Sequence, residues 1–572
     1  MADADQGPPP GDDVGLPPSL GRSAVVMAVG TTLSRLTGLG RLVAMAYALG
    51  VTESRLADSY NIANTMPNVI YELILGGVLT SVFIPVVVQE LRTRRHDEAW
   101  SSVSALVTTS IAVVVAISVV AVVAAPWIIR LFTLRLSGRQ AAEQQAVATF
   151  FLRFFAPQVA FYGIAAIAGG LLNAHDRFAV PMFAPILNNV VVILTFLGFA
   201  AVVHGTPTDA AVGTALSQKL LLAVGTTGGV ALMAVAHWPY VRRLPGRLHF
   251  RPDFRHPAVR KLARLSAWTL GYVIANQLSF GLALVLANGV QGGPTAMFTA
   301  FAFFQLPYGV AAVSIMTALV PRMSAQAVEG DAAGFRASVS SGLRLMGLVL
   351  LPATAGYLVL SRPLITTLLQ HGVMSANSSR LVAEVLDMFA LGLVPFSFFL
   401  LLLRAFYARQ DARTPTLVNV VVNAVYAVFS LILFPVLRVQ GLALAHTLCY
   451  VTGAVLAGVL LSRRVGGLDT ARTTAALARA AAASTAAAGA MLLGVAAVNV
   501  AMGPSGERAL AQLVAGAVAG GVAFLGAARL LRIEELDKLR SLLPGGRPEP
   551  QPRPDSVAGV SGPGARNDQG EL

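Results

Sequence analysis

Ser34-Arg35-Leu36-Thr37-Gly38-Leu39-Gly40-Arg41 decides how the chain is read, because it sets two arginines inside a segment, Ser23 to Leu49, that is otherwise apolar and long enough to cross a bilayer. About 20 apolar residues rising about 1.5 Å each span the hydrocarbon. A guanidinium inside such a span costs roughly 3 kcal/mol on insertion scales and persists only where it faces a partner, water or an anionic ligand. An arginine at a helix end can instead snorkel to a headgroup. Arg35 and Arg41 both stand well inside the segment, which points to an interior anion site. Six residues of helix set two side chains about 120° apart and about 9 Å apart along the axis. Only an elongated anion or a wide cavity could then engage both. Gly38 and Gly40 between them let the helix kink or a bulky ligand approach the backbone.

Composition sets the frame for that segment. Of 572 residues 55% are hydrophobic and only 12% charged, against about 25% charged in soluble domains, so the chain reads as an all-α polytopic membrane protein. The net charge of +14 lies largely in short loops between apolar runs, as the positive-inside rule produces, and nucleic acid is set aside as a partner. The one cysteine, Cys449, excludes a disulfide framework and a thiolate metal site. Residues 1–20 hold four aspartates and several prolines with no basic n-region; they are expected to be a disordered tail rather than a signal peptide. Residues 544–572 are expected to be a second disordered tail.

Apolar runs with polar breaks predict about fourteen spans, near 23–49, 58–88, 103–129, 148–173, 181–203, 213–237, 266–290, 295–320, 340–360, 382–404, 416–437, 441–462, 478–502 and 509–531. An even number leaves both termini on one side. Arg92, Arg94 and Arg95, the run from Arg242 to Arg264, Arg409 with Arg413, and Arg463 with Arg464 all fall in alternate loops, which places those loops and both termini in the cytoplasm. The longest loop, 239–265, is a basic connector read as a topology anchor attracted to anionic lipid.

The chain also repeats. Leu79-Thr80-Ser81-Val82-Phe83-Ile84-Pro85 matches Met316-Thr317-Ala318-Leu319-Val320-Pro321, and His175-Asp176-Arg177 before Pro181 matches Gln410-Asp411-Ala412-Arg413 before Pro415. Both pairs join spans six apart. The organisation expected is therefore an N-lobe over 21–238 (spans one to six), the connector, a C-lobe over 266–462 (spans seven to twelve) pseudo-symmetric with the first, and two extra helices within 463–543. Transporters built from such halves bind substrate between them and rock around it.

Within the spans the basic residues are Arg35, Arg41, Arg153 and Lys219, the last two close enough to helix ends to snorkel. Asp58 lies near the outer start of the second span and Glu72 deeper in it, so either acid is a candidate partner for the arginines. Asn188, Asn189, Asn276, Gln277 and Gln305 suit interhelical hydrogen bonds. Asn423 and Thr447 could offer oxygen ligands to a monovalent cation, but interhelical hydrogen bonding is the preferred reading of both. Pro67, Gly76, Gly77 and Pro307 mark spans able to bend, with Gly76, Gly77 and Pro307 expected at a gate or hinge. No Walker loop is present, so energy is expected from the membrane potential, a monovalent cation gradient or consumption of product, without a bound cofactor.

The Ser34-Arg35 to Gly40-Arg41 stretch, Asn64-Thr65-Met66-Pro67-Asn68, Gly76-Gly77 to Pro85, Gln305-Leu306-Pro307-Tyr308-Gly309 and Arg409-Gln410-Asp411-Ala412-Arg413-Thr414-Pro415 together resemble the MurJ (MviN) lipid II flippases of the multidrug/oligosaccharidyl-lipid/polysaccharide exporter superfamily, over about residues 20–535. The resemblance implies a non-enzymatic, fourteen-helix carrier in the bacterial cytoplasmic membrane. Such a carrier moves undecaprenyl-diphosphate-linked disaccharide pentapeptide to the outer leaflet for peptidoglycan synthesis, in the company of membrane lipids and other cell-wall synthesis proteins. It implies substrate-binding roles for Arg35, Arg41 and Asp58, and a groove on the last two helices for the lipid tail. Tyr71 and Ala302 stand where well-known Gram-negative members carry further cavity arginines. Composition rich in Arg and Ala suggests a high-GC bacterium. Three alternatives are weighed beside this one: a flippase for another polyprenyl-linked oligosaccharide, a multidrug cation antiporter of the same fold, and a non-transporting scaffold for cell-wall proteins. Basic rather than acidic residues in the spans oppose the antiporter, and the arginine stretch with the repeated halves opposes the scaffold.

Overall fold

The computed structural model describes residues 18–72, 83–93, 95–203, 205–503 and 507–536, and these are helical with no strand among them. The first half comprises α1 (Pro18–Leu49), α2 (Leu56–Tyr71), α3 (Ile84–Thr93), α4 (His96–Phe132), α5 (Gly138–Phe155), α6 (Gln158–Asn173), α7 (Ala179–Val202), α8 (Asp209–Thr214), α9 (Leu216–Val235) and α10 (Trp238–Val241). The second comprises α11 (Pro257–Ala287), α12 (Gly293–Pro307), α13 (Val313–Glu329), α14 (Ala332–Leu369), α15 (Ala376–Ala390), α16 (Leu393–Ala408) and α17 (Arg413–Arg464), with a π-helical turn, Tyr308–Ala312, between α12 and α13. The appended pair is α18 (Thr470–Ala501) and α19 (Arg508–Leu530), which pack on each other and on α14. Helix α1 begins at Pro18, inside the stretch expected as a tail.

Among the described residues nine helical segments are long and apolar enough to cross a membrane, ten with the pair α15–α16, which bends by 46° at its break. The chain is thus a multi-pass membrane protein. Large apolar side chains such as Val119, Val120, Val123 and Trp127 of α4 lie exposed, as lipid-facing positions do, because a helix satisfies its own backbone and needs no polar cover.

Two expected spans, 416–437 and 441–462, fall in the single 52-residue element α17, whose continuity breaks at Arg438 (φ 54°, ψ −130°). A Cβ on Gly453 would stand 2.6 Å from Val422 Cγ2, whereas a straight helix would separate the two residues by about 46 Å. The element is therefore a hairpin of two arms. Gly441 permits the reversal, since a Cβ there would meet the Leu433 carbonyl oxygen at 2.6 Å. The fourth span is likewise divided, into α5 and α6, at Ala156 and Pro157.

The sequence repeat has a structural counterpart. Asp176 and Gln410 both take the left-handed conformation (φ 58° and 59°). In each case the next residue closes the preceding helix, Arg177 N–H donating to Leu172 O at 2.9 Å and Asp411 N–H to Phe406 O at 3.1 Å. Each turn then delivers an asparagine to the first helix of its own half. Asn189 Nδ2 on α7 donates to Ser34 O and Thr37 Oγ1 of α1, and Asn423 Nδ2 on α17 donates to Asn276 Oδ1 of α11. Separate apolar cores fill the two halves, one around Tyr60, Phe151, Phe155 and Phe196, the other around Phe303, Phe304, Phe389 and Phe406.

Candidate functional site

Arg35 and Arg41 line one cavity of about 560 Å³ between the halves, walled by α1, α2 and α7 on one side and α12 on the other. The cavity is wide enough to admit both side chains although they leave α1 in different directions. Asn61, Asn64, Asn68 and Gln305 add amides, Tyr60 and Thr65 hydroxyls, and Phe196, Phe298 and Phe301 an apolar wall. No carboxylate lines it among the described residues. The Arg35 guanidinium crosses to the second half and rests on Gly309 of the π turn, where any Cβ would collide with it. Arg41 lies in the electrostatic field shared with Tyr60 and Tyr162. Neither arginine has a carboxylate partner among the described residues. An unpaired guanidinium in a membrane interior is the condition that an anionic guest relieves.

Asp58 is placed elsewhere. It is fully buried in the first turn of α2, outside the cavity lining, where Gly292 N–H donates to Oδ2 at 2.7 Å and Thr295 donates to Oδ1 through N–H at 3.1 Å and Oγ1 at 2.7 Å. A carboxylate of the first half thus caps the N-terminus of α12 in the second, where unpaired N–H groups and the helix dipole favour negative charge. Gly292 adopts φ 78° as the cap residue.

Further bonds close the same end. Arg55 Nη1 donates to Asn288 O at 3.0 Å, Gln291 Nε2 to Thr52 O at 2.8 Å, and Asn61 Nδ2 to Thr295 Oγ1 at 3.1 Å. Glu53 in the α1–α2 loop accepts from Val51 N–H, Ser375 N–H and Ser378 Oγ at 2.6, 2.7 and 2.6 Å. Burial pushes the Glu53 carboxyl up, but these hydrogen bonds outweigh burial and hold it below the usual carboxylate range. Together these bonds join the α1–α2 corner to the loops before α12 and α15.

Of the expected bending points, Gly76 and Gly77 lie outside the described residues. Pro307 ends α12 at the π turn. Its missing N–H leaves the Phe303 carbonyl without its helical donor, and Tyr357 Oη fills the place at 2.5 Å. Asn423 and Thr447 are not brought together by hydrogen bonding. The first donates to Asn276 at 2.8 Å and Thr447 Oγ1 donates to Met388 O at 2.7 Å. Lys219 is engaged locally, Nζ donating to Gly213 O at 2.6 Å. The Tyr71 ring packs against that of Tyr162 at 5.9 Å, tilted by 47°, and Ala302 faces the cavity. Sequence reasoning passed over Arg404, an exposed residue on α16 whose field reaches Tyr308 together with that of Arg35. Its position at the end of an apolar run was the available signal.

Comparison with known proteins places these features in a family. The model of the family "Lipid II flippase MurJ" matches residues 45–506. A Burkholderia cenocepacia protein named lipid II flippase MurJ is 28% identical over 450 residues, covering 77% of this chain and 83% of that protein. A Rhizobium tropici protein named probable lipid II flippase MurJ is 28% identical over 462 residues, covering 80% and 84%. Among solved structures, a lipid II flippase MurJ in an inward closed conformation superposes with a TM-score of 0.71 at 19% identity, covering 89% of this chain and all of that one. An inward-facing multidrug transporter of the MATE family gives 0.60 at 13% identity.

Proposed function

The chain belongs to the lipid II flippase MurJ family, and from that membership and its acid-free cationic cavity we propose that it carries lipid II, a polyprenyl-diphosphate-linked glycopeptide, from the inner to the outer leaflet of a bacterial cytoplasmic membrane. It is a transporter and not an enzyme. The observation that carries the reading is the pair Arg35 and Arg41, unpaired among the described residues and facing one cavity. A diphosphate bears at least two negative charges, and guanidinium groups meet it with paired donors of matching geometry. The amides of Asn64, Asn68 and Gln305 suit the sugar and peptide hydroxyls and carbonyls. A cavity that exported cations would carry acids, which disfavours the antiporter alternative.

In this state the Asp58 and Glu53 contacts seal one end, so the cavity is the substrate-loading form. Rocking of the halves breaks the seal, and the freed carboxylate and helix N-terminus are then solvated by water. Pro307 and its π turn are the flexible point of α12. The arginine distribution supports cytoplasmic termini and a cytoplasmic connector. The paired helices α18 and α19, with exposed Val514, Val518, Val522 and Leu525, offer the polyprenyl tail an apolar surface. Drive by the membrane potential, or by a monovalent cation gradient, is compatible with a chain that has no nucleotide site in its sequence. The loops remain available to other cell-wall synthesis proteins.

Depletion in the native host is the test. Lipid II should accumulate in the inner leaflet and disappear from the outer one, and continued outer-leaflet exposure of lipid II in depleted cells would count against the proposal.

A further inference from the structure

Between α10 and α11 the connector is not loose. His249, Arg251 and Asp253 donate their backbone N–H groups to Ser104 Oγ, Thr108 Oγ1 and Thr109 Oγ1 of α4, at 3.1, 3.3 and 2.9 Å. Two extended residues advance about 6.6 Å and the four helical residues from Ser104 to Thr108 about 6 Å, so the first two N–H groups keep pace with the hydroxyls along α4, and the third meets Thr109 one residue further on. Gly246 lies flat on Trp100, whose ring occupies the place a Cβ would take, and Leu244 and Ala258 are buried in the apolar cluster around that tryptophan. The segment is a strap fixed to the first half.

A cavity of about 390 Å³ opens between the strap and the first turns of α4, lined by His96, Trp100, Ser101, Arg247, His249 and Arg251, with Asp97 as its one carboxylate. Arg251 Nη1 donates to Ser101 Oγ at 3.1 Å, which holds its guanidinium at the cavity. Phe250 and Phe254 of the strap are 80% and 62% exposed, interspersed with the exposed Arg247, Arg251 and Arg255. Helix α4 carries no charge from Ala99 to Ile129, a length of about 46 Å against about 30 Å of hydrocarbon. Its hydroxyl-rich start therefore stands at headgroup level, and the strap with it.

We propose that the strap and the cavity beneath it bind the headgroup of an anionic glycerophospholipid of the adjacent leaflet, the phosphate between Arg247 and Arg251 and the acyl chains against Phe250 and Phe254. Exposed aromatic rings beside arginines are the composition that an interfacial anchor needs, and the cavity supplies what a purely peripheral anchor lacks. Because this segment joins the two halves, a lipid held there biases their relative movement. The binding itself stands whether or not the chain moves lipid II.

The full-length protein in nanodiscs of phosphatidylcholine with a graded fraction of phosphatidylglycerol is the material for the test. Native mass spectrometry reads retained lipid, and an environment-sensitive fluorophore on Phe250→Cys, in a Cys449→Ser background, reads insertion. Phosphatidylglycerol should be retained in preference to phosphatidylcholine and should shift the fluorophore to the blue. Arg247→Gln with Arg251→Gln should weaken retention about 30-fold, each cation near an anionic surface contributing about fivefold, while the double lysine variant keeps most of it. Equal retention by the parent and the glutamine variant overturns the proposal. So does full displacement by millimolar inorganic phosphate, which would make a soluble anion the ligand, and so does loss in the lysine variant as complete as in the glutamine one, which would mark a folding defect.

Discussion

Arg35 crosses the seam and sits on Gly309, so the smallest side chain in the π turn is a condition for the arginine's position. Gly309→Ala should displace the guanidinium and lower lipid II translocation at normal protein abundance, while adding Arg35→Ala should cost little more, because the two changes remove one arrangement. Losses that add fully would separate the two residues. Titration offers a second residue-scale test at Asp209, the first residue of α8, where burial pushes the carboxyl up to about 6 even though Ser59 Oγ donates to it at 2.7 Å. Its folded pKa lies above the ordinary value, so the penalty for ionising it grows as pH rises and is complete above about 6. Thermal stability should therefore rise on acidification from pH 7 to 5, and Asp209→Asn should flatten that trend; Glu53, shifted the other way, withdraws its support only at lower pH. A parent profile that falls over this interval would contradict the assignment.

At the scale of elements the proposed gate is a joint between the start of α2 and the start of α12. Asp58→Ala leaves the Gly292 and Thr295 donors without a partner in the closed gate, at about 1–3 kcal/mol, or about 5- to 150-fold in the closed-to-open ratio. A cysteine at Gln305 in the cavity should then react faster with an impermeant thiol reagent added from the gated side, and an unchanged rate would remove Asp58 from the gate. This joint was not legible in the sequence. A carboxylate near the start of an apolar span could be paired with Arg35 as readily as with anything else, and two of its three donors are backbone N–H groups, which no residue type announces. Arg35 and Arg41 were legible because charge inside an apolar run is costly. The hairpin in α17 was legible as two runs. The division of the fourth span at Pro157 was not, because apolar residues continue through the break.

The whole molecule is two similar halves meeting at a cationic cavity, shut at one end, with an appended helix pair and a strapped connector. The repeat read from His175-Asp176-Arg177 and Gln410-Asp411 has a shared geometry, one left-handed residue in each turn, Asp176 and Gln410, followed by the same closing bond. The strap could not be read from the sequence, because its three donors are main-chain atoms. What unites the levels is the proposal that Arg35 and Arg41 serve an anion that moves through the molecule rather than the fold itself. The most direct measurement is lipid II translocation in vesicles reconstituted with equal amounts of the parent, Arg35→Ala, Arg41→Ala and the two lysine variants. The alanine variants should lose binding and translocation by about 2–5 kcal/mol, as for a buried charge partner removed, and the lysine variants should recover only part of it, having charge without the planar fork. Alanine variants that bind and move lipid II as well as the parent would contradict the account.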